Sequence, residues 1–382
     1  MHLEQAAPGL RASRCFGSDP RGQRDLKEAA LRILYTGSDG YIGAVLGPKL
    51  LESGHDVVGL DSGFYRRGWL FDDGRTRPMV ISKDTRHVTV ADLTGFDAVV
   101  HLAELSNDPL GENDPEVTIE INHRGSVELA RKCKLAGVRR FIYASSCSVY
   151  GAAGAEARVE TSEVNPQTAY ARCKIMVEND LRRLADETFT PVFLRNATAF
   201  GASPRQRFDL VLNNLAGFAF TTGKIRVMSD GSPCRPLVHI EDICQAILCA
   251  LEAPRENVSG EAFNVGDDDQ NYTIREIAEI VGRVFQNCEV TFGPSGPDSR
   301  SYRVSFAKIA QRMPRFRCRW SAERGARQLK SVFERIQLDA ATFNASPYTR
   351  LSELRSLQVT DQLDGHLHWT QLKEQAWPEA AE

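Results

Sequence analysis

The sequence predicts an α/β protein, in which helices cover both faces of a doubly wound parallel sheet and a smaller C-terminal α/β lobe follows. Two observations carry this prediction. From Arg32 onward, short apolar runs alternate with segments of helical periodicity, as in consecutive βαβ units. These runs are apolar throughout, which indicates strands that are buried on both faces of a parallel sheet.

Six apolar runs are predicted as strands of the large sheet, in chain order "RILYTG", "DVVGLD", "HVTV", "DAVVHLA", "RFIYASS" and "TPVFLRNA". Long amphipathic helices are predicted at about 114–136 and 167–187. Past Asn196 the pattern loosens into shorter helices and strands, which we assign to a second lobe interleaved with the end of the sheet. The predicted organisation is a poorly ordered extension over 1–30, a cofactor domain over 31–196, a substrate lobe over 197–338 and a segment of unknown role over 339–382.

Composition excludes several classes of function. The net charge is −3 and no basic stripe is present, so nucleic acid is not an expected partner. No apolar run approaches the ~18 residues of a membrane helix, and the N-terminus lacks the apolar core of a signal peptide. The nine cysteines are scattered without metal-ligand spacing. We therefore expect reduced thiols, no metal site, no membrane and a cytoplasmic protein.

A glycine-rich segment, "TGSDGYIG", follows the first predicted strand and opens the first helix. It places Gly37, Gly40 and Gly43 at the strand-to-helix turn. Backbone N–H groups at such a turn bind a pyrophosphate, and side chains there would block its approach. A glycine triplet alone is also typical of ordinary turns, so the prediction depends on its context.

That context is supplied by Asp61, which ends the second predicted strand. A carboxylate at this position accepts hydrogen bonds from the adenosine ribose hydroxyls and repels a 2′-phosphate, so NAD is favoured over NADP. Arg66 and Arg67 lie close by in the chain and oppose this preference. We interpret them as solvated loop charges.

Tyr170 and Lys174 are four residues apart in "YARCK" and therefore share one face of a predicted helix. A phenol has a pKa of about 10 and is a poor base near neutrality. A neighbouring ammonium stabilises the phenolate and lowers that pKa. The pair could then accept a proton from a sugar hydroxyl, and the same lysine could hold the nicotinamide ribose.

Taken together, these segments resemble the extended short-chain dehydrogenase/reductase family, and within it the nucleotide-sugar epimerases and dehydratases. The resemblance covers about residues 32–338. It rests on the segments "TGSDGYIG", "ADLTG", "VVHLAE", Asn122, "ASSCSVYG", "YARCK" and "SDGSPCRPLVHIED". It implies a Rossmann lobe that binds NAD, a second lobe that binds a nucleoside-diphosphate sugar, and a homodimer built through the helices at 114–136 and 167–187.

The family also implies site residues. Its catalytic hydroxyl lies four residues before the tyrosine of "VYG", which is Ser146 here. Further cofactor contacts are implied at the positions that match its motifs, namely Tyr41, Ile42, Asp92, Leu93, Leu102 and Ala103.

The neighbours of Ser146 refine this assignment. Ser145 and Ser148 are interpreted as satisfied strand-end hydroxyls. Cys147 is expected on the opposite face of the strand, as a small packing residue. The dehydratases and decarboxylases of the family have acidic residues just after the catalytic hydroxyl. Cys147 and Ser148 occupy those positions here, so elimination is disfavoured.

On the substrate side, Arg235 matches the family arginine that contacts the pyrophosphate, and Arg300 is a second phosphate candidate. The family places an asparagine where Thr198 stands, and we assign the role to Asn196, two residues earlier. Asn213 and Asn214 are further candidates that would flank the nucleotide.

The function that this pattern predicts is NAD-dependent epimerisation of a nucleotide sugar, most simply at C4. One alternative is a nucleotide-sugar dehydrogenase or ketoreductase with net redox. A remoter alternative is a non-catalytic protein that senses NAD(H) or serves as a scaffold, which would have no need of Ser146, Tyr170 and Lys174.

Overall fold

The computed structural model describes residues 30–106, 108–286, 288–295 and 301–370. The predicted extension over 1–30, apart from its last residue, and Arg300 lie outside these ranges. The strands are β1 Arg32–Thr36, β2 Asp56–Asp61, β3 Met79–Ser82, β4 Ala98–His101, β5 Arg140–Ser146, β6 Ala152–Arg158, β7 Thr190–Asn196, β8 Thr198–Phe200, β9 Lys224–Val227, β10 Cys234–His239, β11 Ala262–Val265, β12 Asn271–Thr273, β13 Glu289–Phe292 and β14 Ser301–Val304.

The helices connect and cover these strands. They are α1 Gly43–Glu52, α2 Val90–Leu93, α3 Asp108–Asn113, α4 Pro115–Thr118, α5 Ser126–Leu135, α6 Ala169–Leu184, α7 Val211–Thr222, α8 Ile240–Glu252, α9 Arg255–Val258, α10 Ile274–Val284, α11 Ala307–Arg312, α12 Ala322–Ile336, α13 Ala340–Phe343 and α14 Arg350–Val359. In the part of the chain described, no helix combines the length and apolar character needed to span a membrane.

The large sheet has seven parallel strands in the order β11-β7-β5-β4-β1-β2-β3. Apolar side chains of α1 and α8 pack on one face, and those of α5 and α6 pack on the other. This confirms the predicted doubly wound α/β fold. The strand order reverses between β1 and β4, and ligands of such sheets bind at the carboxyl ends of the strands on either side of that point.

The third strand differs from the prediction. "HVTV" forms no strand, and β3 lies earlier, at Met79–Ser82. The β-branched residues of "HVTV" favour a strand, but two polar side chains decide otherwise. Asp84 caps a short 3₁₀ turn, and Thr89 forms a capping box with Asp92 that begins α2.

The first long helix is one helical run that contains a wider turn. The π-helical segment Ile119–Gly125 joins α4 to α5. Asn122 in this segment is fully buried, and its side-chain amide exchanges two hydrogen bonds with the backbone of Leu105, at 2.8 and 3.0 Å. The wider turn therefore fixes the chain that follows β4.

The second lobe has its own core, formed mainly by α7, α10 and α12. Its small sheets pair β12-β10-β8, β13-β9 and β14-β6. The chain returns to the large sheet for β11, so the two parts are interleaved in sequence. The segment from α13 to residue 370 then crosses back to the first lobe, where Leu354, Leu357 and Leu367 pack with Phe64 and Val117.

Candidate active site

The glycine turn after β1 is tightly closed. Gly37 has φ +71°, and its N–H donates to the Leu60 carbonyl at 2.9 Å. A Cβ on Gly37 would lie 2.9 Å from the Ala103 nitrogen, and one on Gly43 would lie 2.1 Å from the Gly37 oxygen. Thr36 Oγ1 accepts from the N–H groups of Leu102 and Ala103, both at 3.2 Å. The predicted cofactor residues at the ends of β1 and β4 thus lie side by side.

Asp61 lies at the carboxyl end of β2, next to this turn. Its carboxylate accepts from the N–H groups of Asp39 at 3.0 Å and Gly63 at 2.7 Å. Burial, together with the nearby carboxylate of Asp39, raises the pKa of Asp61 to about 6. Sequence reasoning missed Asp39, although it lies within the glycine-rich segment.

Two arginines compensate the Asp39 carboxylate. Arg66 Nε lies 3.5 Å from Asp39 Oδ2, and Arg205 Nη2 lies 3.5 Å from Asp39 Oδ1. Arg67 is turned away to a buried Glu353, at 2.9 Å. The interpretation as solvated loop charges is therefore wrong for Arg66, which is 23% exposed and faces Asp39, whereas Arg67 remains 55% exposed although it pairs with Glu353.

Two residues predicted near the ligands serve the interior instead. Tyr41 is buried and donates through its hydroxyl to the Gly201 carbonyl at 2.8 Å. Asn213 is fully buried and bonded to Gly201, Tyr41 and Arg207. The side chain of Tyr41 is therefore engaged within the protein, and only its backbone could contact the cofactor. The side chain of Asn213 is fully used in internal hydrogen bonds, so it does not flank a nucleotide.

Two other predicted ligand residues are also partly engaged within the protein. Asn214 donates to the Phe208 carbonyl at 2.8 Å. Ile42 packs its partly buried side chain against the core and precedes α1.

The structure does not bring Asp92 and Leu93 to the site. Leu93 is fully buried in the core beneath the sheet. The Asp92 carboxylate bonds Lys83 at 2.6 Å and the backbone of Thr89, and these bonds hold its pKa at about 2. Asp84, two residues after the end of β3, is an acidic residue close to the carboxyl edge of the sheet, where it pairs with Arg86. Acidic residues that follow a strand are candidates for ligand contacts. Asp84 was overlooked because the third strand was predicted after it, at "HVTV", and not before it.

Ser146, Tyr170 and Lys174 meet at the carboxyl edge of the sheet, as predicted. Ser146 ends β5 and accepts from the N–H of Ser148 at 3.1 Å, and its hydroxyl lies near enough to the phenol of Tyr170 to lower the pKa of that phenol. Tyr170 and Lys174 lie one turn apart on α6, with the Lys174 Nζ 5.2 Å from the centre of the phenol ring. Thr168 caps this helix, so Tyr170 lies in its first turn.

The ionisation of Tyr170 differs from the prediction. Burial raises its pKa above the ordinary value, the ammonium of Lys174 lowers it, and the carboxylates of Glu104 and Asp108 raise it further. The predicted effect of Lys174 is present, but burial outweighs it. The phenol is therefore the favoured form at neutral pH.

Lys174 forms a buried ion pair with Glu104, a residue that sequence reasoning also missed. The ammonium contacts the Glu104 carboxylate and the Ala144 carbonyl. Glu104 also accepts from the Tyr143 hydroxyl at 2.6 Å. Burial would lower the pKa of Lys174, but Glu104 raises it above the ordinary value. The sequence did offer an indication of Glu104, because an acidic residue directly after the apolar strand "VVHLA" lies at the ligand edge of the sheet.

The residues around Ser146 alternate in burial, as a strand requires. Ser145 donates to Glu178 at 2.6 Å, and the buried Cys147 thiol donates to the Arg195 carbonyl at 3.1 Å. Both are structural, as predicted. The expectation for Ser148 is wrong, since its buried Oγ has no hydrogen-bond partner in the described chain.

Of the predicted substrate residues, Asn196 lies beside Ser146, because the ends of β7 and β5 are paired in the sheet. Its Oδ1 is buried without a partner among the described residues. Arg235 lies on β10, half-buried, with its guanidinium 5.7 Å from the ring of Tyr302. Thr198 is on β8, paired in register with Leu237 of the same strand β10.

The site fits a bound dinucleotide and an oxygen-rich substrate. The glycine turn leaves open backbone where any Cβ would collide, and Asp61 follows the neighbouring strand. Ser148 and Asn196, which lie close to Ser146 in the chain or in the sheet, have unsatisfied polar atoms among the described residues. Buried polar atoms of this kind ordinarily have a partner, which a ligand would supply.

Comparisons with known proteins agree with this geometry. The family model for NAD-dependent epimerases/dehydratases matches residues 33–266, which contain the glycine turn and all three predicted catalytic residues. A UDP-glucose 4-epimerase of Mycolicibacterium smegmatis is 29% identical over 282 residues, covering 69% of this chain and 86% of that protein.

Solved structures share the fold. UDP-N-acetylglucosamine 4-epimerase of Methanobrevibacter ruminantium superposes with a TM-score of 0.71 at 21% identity, covering 81% of this chain and 99% of that one. A dTDP-glucose 4,6-dehydratase of Streptomyces venezuelae, solved with NAD bound, gives 0.70 at 23% identity, covering 80% and 97%.

Proposed function

The chain belongs to the NAD-dependent epimerase/dehydratase family, and from that premise we propose that it epimerises a nucleoside-diphosphate sugar at C4. The enzyme class and the cofactor NAD follow from the family. The reaction, the carbon and the sugar are the proposal. The observation that carries it is the assembly of Ser146, Tyr170 and Lys174 beside the glycine turn, with no acidic side chain directly after Ser146.

In the proposed reaction, Tyr170 removes the proton of the C4 hydroxyl. Ser146 donates a hydrogen bond to the same oxygen, and Lys174 stabilises the phenolate that receives the proton. NAD, when bound, supplies a reversible hydride acceptor. The keto sugar turns in the pocket, the carbon is reduced on its other face, and Tyr170 returns the proton.

The residues after Ser146 argue against elimination. Cys147 is fully buried, and burial raises the pKa of its thiol far above the ordinary value. Ser148 carries a hydroxyl that is too weak an acid to protonate a leaving hydroxyl. The nearby Glu104 is committed to Lys174. The two positions directly after Ser146 therefore hold no carboxylic acid.

On the substrate side, we assign pyrophosphate binding to Arg235. This half-buried residue lies on β10, with its guanidinium beside the ring of Tyr302. Guanidinium presents a rigid fork of donors suited to phosphate oxygens. Asn196, with an unpaired oxygen next to Ser146, would accept from a sugar hydroxyl.

We further propose a homodimer formed through α6 and the helical run that ends with α5. Exposed residues on α6 recur at helical spacing, which gives one continuous face, formed by Arg172, Met176, Asn179 and Arg183. We also propose a cytoplasmic location, which the free thiols of the eight described cysteines support.

The test is a panel of nucleotide sugars followed by NMR with purified protein and no added cofactor. We expect two C4-epimeric nucleotide sugars to interconvert, with no net change in NADH absorbance. Tyr170→Phe is the matched control and should be inactive. Stoichiometric consumption of added NAD or NADH would identify a dehydrogenase or ketoreductase instead, and the absence of any conversion would favour a sensor or scaffold.

A further inference from the structure

We propose that Glu104 is a positioning residue of this active site, which balances the charge of Lys174 and thereby controls how readily Tyr170 gives up its proton. The catalytic part of this inference rests on the proposed function. Glu104 does not contact the reacting hydroxyl directly, and its effect passes through Lys174.

The ion pair is held rigidly out of water. The side chains of Lys174 and Glu104 are 5% and 2% exposed. The carboxylate oxygen that does not face Lys174 accepts from Tyr143 at 2.6 Å and from Ser126 at 3.3 Å. Both oxygens are therefore occupied, and the charge of Glu104 is fixed beside the ammonium. In such an environment, water screens the pair weakly.

A chain of neutral groups links Glu104 to the glycine turn. Ser126 Oγ lies 2.9 Å from His101 Nε2, and His101 Nδ1 lies 2.7 Å from Thr36 Oγ1. Burial, and then the charge of Lys174, lower the pKa of His101 to about 3, so this ring is neutral near pH 7. In this hydrogen-bonded chain from Thr36 to Lys174, only Glu104 and Lys174 therefore carry a charge.

The groups that face Tyr170 come from several elements. They are Lys174 on α6, Glu104 after β4, Asp108 on α3, Tyr143 and Ser146 on β5, and Arg207 before α7. Arg207 is paired with Asp209 at 2.8 Å, and Asp108 accepts from Thr168 at 2.6 Å. The ammonium of Lys174 is the cation that favours the phenolate, and Glu104 is the anion in direct contact with that ammonium.

Lys174 therefore serves two competing anions. Forming the Tyr170 phenolate places a second negative charge near an ammonium that Glu104 already neutralises, and this disfavours ionisation. The resting site holds a phenol, ready to give a proton to a keto sugar. Removal of a proton from the substrate hydroxyl then becomes easier as the pH rises.

The experiment measures Tyr170 without substrate. The protein is produced with ring-labelled tyrosine, the Tyr170 signal is assigned by its loss in Tyr170→Phe, and its titration is followed by NMR. In Glu104→Gln, the ammonium is no longer neutralised. We expect the midpoint of Tyr170 to move to lower pH by about one unit, at the lower end of what a neighbouring charge exerts. An unchanged or higher midpoint would overturn the proposal.

Two further variants make the result specific. Glu353→Gln removes another fully buried carboxylate, one paired with Arg67, and should leave the midpoint unchanged. If Glu104→Gln does not fold, Glu104→Asp withdraws the charge by one methylene and should give a smaller shift in the same direction. No shift in that variant would equally overturn the proposal.

The outcome separates this inference from the proposed function. A wild type that interconverts nucleotide sugars while Glu104→Gln leaves the midpoint in place would refute the role of Glu104 alone. A midpoint that shifts as expected in a protein that converts no nucleotide sugar would refute the proposed function and support the effect of Glu104 on Tyr170.

Discussion

At the scale of single residues, the chemistry depends on how buried charges are shared. Asp61 and Asp39 lie together beneath the glycine turn, compensated by Arg66 and Arg205. Isolated charges are costly inside a protein, so each of these groups constrains the others. A substitution of one of these four residues can therefore change which of the remaining charges is free to interact with a ligand, even where the fold is kept.

Replacing Tyr170 with Phe removes the hydroxyl that, in the proposed reaction, exchanges a proton with the substrate. We expect turnover to fall by about 10²–10⁴-fold, the contribution of a general base, while NAD binding is retained. Turnover is measured on the most active sugar of the panel, and NAD binding by calorimetric titration. A variant with more than about a tenth of wild-type turnover would show that Tyr170 is not the base.

Ser146→Ala and Cys147→Ala form a matched pair at the end of β5, where Ser146 is the last residue of the strand and Cys147 is the fully buried residue that follows it. Loss of the Ser146 hydroxyl should lower turnover by about 10²-fold, as for other donors to a reacting oxygen. Cys147→Ala should leave turnover near that of wild type, because the thiol is buried against the Arg195 carbonyl. Inactive but folded Cys147→Ala, with solvent deuterium entering the sugar ring, would instead indicate epimerisation through the thiol.

The preference for NAD should depend on both carboxylates beside the glycine turn, those of Asp61 and Asp39. Asp61→Ala should weaken NAD by about tenfold or more, because charge-assisted hydrogen bonds are lost. Asp39→Asn should strengthen NADP, because it releases Arg66 and Arg205 from their shared partner. Both nucleotides are titrated against the apo protein, with the exposed Glu323→Gln as control.

The same titration has an expected pH dependence. The pKa of Asp61 is raised to about 6, so its carboxyl gains a proton as the pH falls through that value. A protonated carboxyl accepts fewer hydrogen bonds, so the affinity for NAD should fall as Asp61 gains its proton.

The comparison of the two nucleotides has an outcome that would contradict the role of Asp61. Equal affinities of the wild type for NAD and NADP would mean that Arg66 and Arg205 set the preference, and not Asp61.

At the scale of secondary structure elements, the site depends on close approach of backbone segments. The ends of β1 and β4 and the start of α1 converge at the glycine turn. There, an added methyl group would meet backbone atoms, which cannot rotate away. Steric fit therefore outweighs helix propensity at the first residue of α1.

Gly43→Ala tests this balance. Alanine should gain about 1 kcal/mol from helix propensity, but its Cβ would lie 2.1 Å from the Gly37 oxygen. We expect the free energy of unfolding to fall by about 1–3 kcal/mol and NAD affinity to fall as the turn opens. Thermal unfolding and NAD titration measure the two effects.

Gly365→Ala is the control, because no heavy atom lies within 4 Å of the added Cβ. It should change neither quantity. Normal stability and NAD affinity in Gly43→Ala would mean that the turn adapts without cost.

At the scale of the whole molecule, the C-terminal segment and the helices of the proposed dimer lie on the first lobe. Leu354, Leu357 and Leu367 cover apolar residues near the end of β2, and Trp369 donates to the Ser62 carbonyl at 2.7 Å. His366 lies 3.1 Å from Glu120, at the beginning of the helical run that includes α5. The C-terminal segment therefore contacts the helical run that includes α5, whereas α6 keeps an exposed face for the proposed interface.

Met176→Asp should weaken the proposed homodimer. Met176 is 37% exposed on α6, and a charge there would have to be buried in an interface. Light scattering should show the dimer of the wild type shifting to monomer in this variant. Met228→Asp, at an 85% exposed position in the other lobe, is the control and should remain dimeric. A monomeric wild type would refute the dimer.

Local sequence patterns determined much of this protein. The glycine turn, Asp61 at the end of β2, and the pair Tyr170 and Lys174 on α6 were predicted, because spacing along one element fixes which side chains share a turn or a face. Five of the six strands predicted for the large sheet were also correct, since buried parallel strands are continuous apolar runs.

The tertiary structure alone decided which charges pair. Glu104 and Lys174 are 70 residues apart, and Asp39 meets Arg205 across both lobes. The edge strand β3 was missed because it is mostly exposed and weakly apolar. The segment "HVTV" was predicted in its place, but capping by Asp84 and Thr89 overrode its β-branched pattern. Contacts between distant segments leave no periodicity in the sequence. They nevertheless fix the protonation of Tyr170, because buried charges act most strongly on their nearest neighbours in space.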